Sequence, residues 1–214
     1  MTLRAALITL ILILPNFAFA QQISFSKGWK EQRFSMFSSN DFSLGAQTLG
    51  VESDGSVSLL WSALPQSVWS KKAARWDWSV QTSVPPTDLT KKGGDDRNLS
   101  LYFLFLPEDA AKKAQNQSIR ALLDNPDVRV LIYVWGGAHA RGDVLRSPYL
   151  GARGRSLIRR PAGTGSASEQ VDLARDHQRA FGEPAQNLVG LAVSADSDDT
   201  DSSIIGQISR LRIE

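Results

Sequence analysis

Four carboxylates fall within six residues, at Asp196, Asp198, Asp199 and Asp201. Clustered oxygens of this kind suit a hard cation such as calcium, and left unneutralised they repel one another. The spacing departs from the EF-hand pattern, because Asp201 stands at its glycine position and Gln207 at its twelfth. Asp196, Asp198 and Asp201 are therefore metal candidates, against the plainer reading of an acidic turn closed by its own Asx hydrogen bonds. A second pair, Asp95-Asp96, follows Gly93-Gly94. It can anchor a sugar hydroxyl, bind a cation or accept backbone N–H bonds of its own turn. Six tryptophans, among them Trp76, Trp78 and Trp135, offer rings on which the apolar faces of sugars stack. Burial competes with that role for Trp76 and Trp78, whereas Trp135, beside Gly136-Gly137, is the better candidate for an exposed platform. Between 141 and 160 there are six arginines and one acid, Asp143. Guanidinium forks such as those of Arg155 and Arg159 suit phosphate or carboxylate groups, unless the stretch is a charged, protected edge strand.

Several chemistries are excluded. The 214 residues contain no Cys, which removes disulfides, thiolate zinc sites, a Cys nucleophile and iron–sulfur clusters. There is no G-x-S-x-G, H-E-x-x-H or P-loop. The two histidines, His139 and His177, are expected on different elements, as ordinary loop and helix-surface residues. With 24 Lys+Arg against 22 Asp+Glu, a polycationic coat on nucleic acid is not expected.

The elements that must position these residues read mostly as strands. Trp76, Trp78 and Val80 share one face of 75–81, and Arg75, Asp77, Ser79 and Gln81 the other, as in a half-buried strand. Residues 99–106 are apolar on both faces, as in a central strand covered twice, and 128–135 has the same character. Residues 188–195 and 204–213 complete the strong strands, and 23–26, 43–52, 57–64 and 155–160 are weaker ones. Helices are expected over 108–123, stopped by Asn125-Pro126, and over 172–181, ended by Gly182. Residues 136–150 and 163–168 read as loops. The sum is an all-β, jelly-roll-like antiparallel β-sandwich, with one or two short peripheral helices, formed by a single domain over 21–214.

Residues 1–20 have the parts of a signal peptide: Arg4, an apolar run over 5–14, and Ala18-Phe19-Ala20 before Gln21. The expectation is a cleaved leader and a periplasmic or secreted protein. No later segment has the roughly 20 apolar residues of a membrane span.

The runs RWDWSV, DLTKKGGDDRNLSLYFLF, LIYVWGG, VDLARDHQRAFGE and GLAVSADSDDTDSS occur in this order. Together they resemble the bacterial domain-of-unknown-function family 3047, from about Val57 to the C-terminus. The resemblance implies an exported, galactose-binding-like sandwich with no established activity. By position, the family's W-x-W falls on Trp76 and Trp78, its paired Asp on Asp95 and Asp96, and its D-x-D-x-T turn on Asp196, Asp198 and Thr200. The chain departs from the pattern at Val171 and Asp199, where the family has Arg and Asn.

The resulting expectation is a non-catalytic binding module for a glycan or an anionic envelope component, bound through Asp95, Asp96, Trp76, Trp78, Trp135, Arg155 and Arg159. No cofactor is expected beyond structural calcium. Two alternatives stand beside it. One is a glycoside hydrolase pairing Asp95 or Asp96 with Asp77 or Asp176. The other is an envelope docking or structural domain. The balance falls against an enzyme.

Overall fold

The computed structural model describes residues 20–115 and 117–214. Residues 1–19 of the expected signal segment lie outside them. In chain order the strands begin β1 (Gln21–Gln22), β2 (Lys30–Arg33), β3 (Asp41–Leu44), β4 (Thr48–Asp54), β5 (Val57–Ala63), β6 (Ala73–Thr82) and β7 (Arg97–Leu106). Helices α1 (Glu108–Ala114) and α2 (Ile119–Asp124) lead to β8 (Arg129–Trp135), β9 (Val144–Ser147), β10 (Gly151–Arg160) and β11 (Gly165–Asp172). Helix α3 (Leu173–Phe181), β12 (Asn187–Asp196) and β13 (Ser203–Ile213) complete the chain.

The strands form two sheets, as the all-β sandwich reading expects. One runs β11–β6–β13–β4–β3, with β1 also paired to β13, and the other runs β2–β5–β12–β7–β8–β10–β9. The β8–β10 pair is parallel, a departure from a wholly antiparallel sandwich. Among the described residues the α-helices are three, all short. The expected helix over 108–123 is two, because Ser118 accepts the Ala121 N–H at 3.2 Å and starts a new N-terminus. Residues 163–168 are not all loop: β11 pairs residue for residue with β6. No helix among the described residues is long and apolar enough to cross a membrane.

Alternation decides what is buried. In β6, Ala74, Trp76, Trp78 and Val80 turn inward, while Arg75 and Gln81 are exposed. From the opposing sheet, Leu99, Leu101, Phe103 and Phe105 of β7 meet them, with Leu131, Tyr133 and Trp135 of β8. The rings interlock: Trp76 and Tyr133 have centroids 5.4 Å apart, and Trp78 and Trp135 lie 5.6 Å apart, edge to face. Trp76, Trp78 and Trp135 are thus core residues, which corrects their reading as a sugar-stacking platform. Trp135 fails as a platform because its parity in β8 points it between the sheets. Its indole N–H donates to the Gly163 carbonyl at 3.0 Å.

The seven-stranded sheet has a second apolar face, as the two-sided patterns of 99–106 and 128–135 imply. Leu104, Leu106, Val130, Ile132 and Val134 lie there with Ala111 and Ala114 of α1 and Ile119 and Leu122 of α2. The functional site opens on this outer face.

Candidate functional site

The site begins at a break in strand pairing. Along β12 and β7, Ser194 lies opposite Ser100, but the next pair is Asp196 opposite Arg97, so the register slips by one residue. Such a bulge re-aims side chains, and here it sets a carboxylate beside a guanidinium. Arg97 Nη1 contacts Asp196 Oδ2 and Asp95 Oδ2, each at 2.9 Å. Its Nε donates to the Ser100 hydroxyl at 2.9 Å, and Nη2 to the Tyr102 hydroxyl at 3.1 Å. Tyr102 in turn shares a hydrogen bond of 3.0 Å with Ser194. The Tyr149 hydroxyl donates to Asp95 Oδ1 at 3.2 Å. Asp95, Asp196 and the Arg97 side chain are all largely withdrawn from water.

Two glycines let the neighbouring loop close on this group. A Cβ at Gly136 would meet Arg97 Cβ at 2.7 Å, and one at Gly137 would meet Leu89 Cδ1 at 2.6 Å. Both glycines have positive φ as well, 153° and 76°, so the tight approach after β8 is a glycine requirement twice over.

These residues form the polar end of a cavity of about 370 Å³, within the range of small-molecule sites, roughly 300–1,000 Å³. Leu59, Leu89, Ile132 and Leu150 supply apolar wall, with Phe34 and Tyr149 among the lining aromatics. Asp95, Arg97, Tyr102, Asp196, Asp198 and Asp199 supply the polar groups.

Charge in this cluster is unbalanced. One guanidinium faces two buried carboxylates, so the second is more stable with its proton on. Asp196 is the one held up. Burial is the main cause; Arg97 opposes it, a hydrogen bond with Asp198 reinforces it, and the result is a pKa of about 8. Burial works against the Arg97 charge, but Tyr102, Asp196 and Asp95 outweigh it and hold the pKa well above the ordinary arginine value. Burial also raises Tyr149, to about 12, with help from the Asp95 charge. Asp199 is raised by burial and by Asp198 and Asp96.

The other sequence candidates sort differently. Asp96 is fully buried and closes the acidic turn from a distance, accepting the Asp199 N–H at 3.3 Å, the Thr200 N–H at 2.8 Å and the Thr200 hydroxyl. Among the described residues, the carboxylates that come together as a possible cation group are Asp96, Asp198 and Asp199, with oxygens within 4.8 Å of one another. The expected trio of Asp196, Asp198 and Asp201 is not that group. Asp196 faces Arg97, and Asp201, with φ of 48°, turns its Oδ1 toward Gly55. Arg155 has the inward parity of Leu157 in β10, Arg159 lies at a bulge between Ile158 and Arg160, and neither lines the cavity. Arg155 donates to the carbonyls of Gly151, Ala152 and Gly154 and lies over Phe181. Arg159 binds Glu169, as do Arg141 and Arg160. The arginine-rich stretch therefore has internal partners instead of forming one anion surface. Asp77, bonded to Arg210 and Ser168, and Asp176, which accepts from Tyr133, do not join Asp95.

Sequence reasoning passed over Arg97, Tyr102 and Tyr149. Arg97 directly follows the Asp pair in the GGDDR run, which was the available signal. Nothing local pointed to Tyr149.

The family model described as "Protein of unknown function (DUF3047)" matches residues 24–212. No curated protein matches the sequence. Among solved structures, the chain is similar to the "Xyloglucanase domain of NopAA", an effector from Sinorhizobium fredii in complex with cellobiose. That match has 8% identity and a TM-score of 0.46, covering 92% of this chain and 98% of that one. It is also similar to the family 11 xylanase from Neocallimastix patriciarum, at 13% identity and a TM-score of 0.45, covering 93% and 96%. A third is the K1 cleaved adhesin domain of Lys-gingipain from Porphyromonas gingivalis W83, at 10% identity and a TM-score of 0.38, covering 92% and 98%.

The expectation against an enzyme is corrected. It rested on the absence of familiar catalytic motifs from the sequence. In the structure Asp95, Asp196, Asp198 and Asp199, from segments about a hundred residues apart in sequence, line one cavity, and the last two cluster with buried Asp96.

Proposed function

The chain belongs to the DUF3047 family, described as of unknown function, and from that premise we propose that it is an exported, carboxylate-based glycoside hydrolase. The observation that carries the reading is the pair Asp95 and Asp196, joined through Arg97 at the polar end of an apolar-walled cavity. Glycoside cleavage needs one carboxyl that gives a proton to the leaving oxygen and a second that stays charged on the far side of the sugar. Asp196 suits the first role. Its Oδ2 accepts from Arg97, and burial, with a hydrogen bond to Asp198, favours its protonated form at neutral pH. Asp95, held by two donors, suits the second. The apolar wall excludes water and offers a surface for the C–H faces of a sugar ring.

The test is reducing-end release by the purified protein from xylan, xyloglucan, cellulose and peptidoglycan. Release is expected, falling as pH rises through about 8, where Asp196 loses its proton. Asp196→Asn is expected to abolish release while retaining the polysaccharide in affinity electrophoresis. Release from none of the four, or release untouched by Asp196→Asn, overturns the reading.

A further inference from the structure

Beyond the hydrolase reading, we propose that the outer face of the six-stranded sheet carries a separate binding site for an acidic sugar, whose carboxylate sits between Arg75 and Arg212. The two arginines are register partners on β6 and β13, so both side chains leave the same face of the sheet. Gln22 of β1 flanks Arg212 and Gln170 of β11 flanks Arg75, which makes one row across four strands. Like charges placed directly opposite each other on a sheet repel. An anion seated between them removes that repulsion.

The row borders a hollow of about 450 Å³. A bulge in β13 builds its far side. Ser209 is opposite Asp77 and Arg212 opposite Arg75, so Arg210 and Leu211 together face the single Trp76. Leu211 turns into the core, and Arg210 stands out with its side chain 66% exposed. Its φ of 52° is uncommon for a residue with a Cβ. Arg210 Nε donates to Asp77, which also accepts from Ser168.

All three guanidiniums are tied at Nε. Arg75 Nε lies 2.9 Å from Glu214 Oε1, and Arg212 Nε donates to Gln22 Oε1 at 2.9 Å. Among the described residues their terminal nitrogens make no hydrogen bond. A fork fixed at its base and open at its tip suits an oxyanion. The charge fits a single negative group: Arg75 and Arg210 have carboxylate partners, whereas Arg212 has an amide oxygen. Glu169 also borders the hollow, but its carboxylate is engaged by Arg141, Arg159 and Arg160. Beside the arginines, the Ser168 hydroxyl and the Gln170 amide supply donors and acceptors for the hydroxyls that a sugar acid presents next to its carboxylate. The Asp95–Arg97–Asp196 cavity opens on the outer face of the other sheet, so a chain held here leaves it open.

The experiment is calorimetric titration with oligosaccharides of galacturonate and of mannuronate. Both are expected to bind. Arg212→Lys keeps the charge and loses the fork, and is expected to weaken binding about tenfold. Arg75→Gln is expected to act in the same direction. Lys113→Gln, which removes an exposed charge on α1, and Asp196→Asn, in the cavity, should leave binding unchanged. In the unaltered protein the Nε–H signals of Arg75 and Arg212 should move in nitrogen-resolved NMR as galacturonate oligomers are added. Binding of neither acidic oligomer, or signals that move only elsewhere, overturns the proposal. So does a loss in Lys113→Gln equal to that in Arg212→Lys, which would mean attraction by net charge alone. A single-stranded oligonucleotide of the same charge, bound as tightly, overturns the assignment to a sugar acid. The readout is binding, so failure here leaves the hydrolase reading standing, and absence of cleavage leaves this site standing.

Discussion

Two buried ionic clusters in this protein have opposite stoichiometry. At the cavity one guanidinium, Arg97, serves two carboxylates, Asp95 and Asp196. At the other side of the seven-stranded sheet one carboxylate, Glu169, serves three guanidiniums, Arg141, Arg159 and Arg160. The surplus is resolved differently in each. Surplus acid in a buried place can take up a proton, and Asp196 does so. Surplus arginine cannot shed its proton in the same way, because its pKa is too high. The fold instead leaves two of the three arginines in water: Arg141 is about 50% exposed and Arg160 about 37%, around a Glu169 side chain that is 1% exposed. The first solution leaves a transferable proton facing a cavity. The second leaves a fixed tie between β10, β11 and the loop after β8.

Three changes test that contrast. Arg97→Met is expected to be the largest. It strips two buried carboxyls of their shared partner, a loss of about 3–5 kcal/mol for a broken buried pair. Urea unfolding at pH 8 should show it, with a smaller loss at pH 5, where Asp196 holds its proton. Adding Asp95→Asn and Asp196→Asn should recover most of the stability. A neutral Arg97→Met at pH 8 would mean that charge balance does not hold this end of the sheet.

Glu169→Gln comes next. Its cost should be about 2 kcal/mol, below that of a fully buried pair, because Arg141 and Arg160 can turn to water. Sulfate should restore part of the loss by occupying the vacated seat between the arginines. A cost equal to that of Arg97→Met would erase the distinction between the two clusters.

The third effect is on the pH dependence of stability. Folded Asp196 keeps its proton to about pH 8, against an ordinary value of 3.8. Between those values the folded state binds the extra proton, so the stabilisation from this group is lost as pH rises through that window. The melting temperature should fall from pH 5 to pH 8, and Asp196→Asn should flatten the slope. An unchanged slope in that variant would show that Asp196 is ionised in the fold.

Much of the sandwich was legible because strand alternation is a local property. The side chains of β6 alternate between apolar and polar, and those of β7 and β8 are apolar on both faces, so their burial followed from period alone. β11 was harder to read. Its residues Gly165 to Gln170 are small or polar, and it is a strand because β6 offers it a ladder. The expected single helix over 108–123 has the right periodicity, but Ser118 interrupts it with a cap.

The site divides in the same way. Asp95 and the acidic turn were visible as unusual densities of carboxylate, and their residue types already implied acid chemistry, cation binding or a tight turn. The choice among these needed contacts across about a hundred residues of sequence. Asp96 became a structural anchor because the Thr200 amide reaches it, and Asp196 became the protonated acid because a one-residue slip between β7 and β12 placed it against Arg97 under a dry wall. Sequence by itself determined two sheets, a two-sided core strand and an excess of acid near the ends of β7 and β12. Only the tertiary structure decided which carboxyl keeps its proton and which tryptophans meet water, because burial and charge pairing are set by neighbours that are distant in the chain.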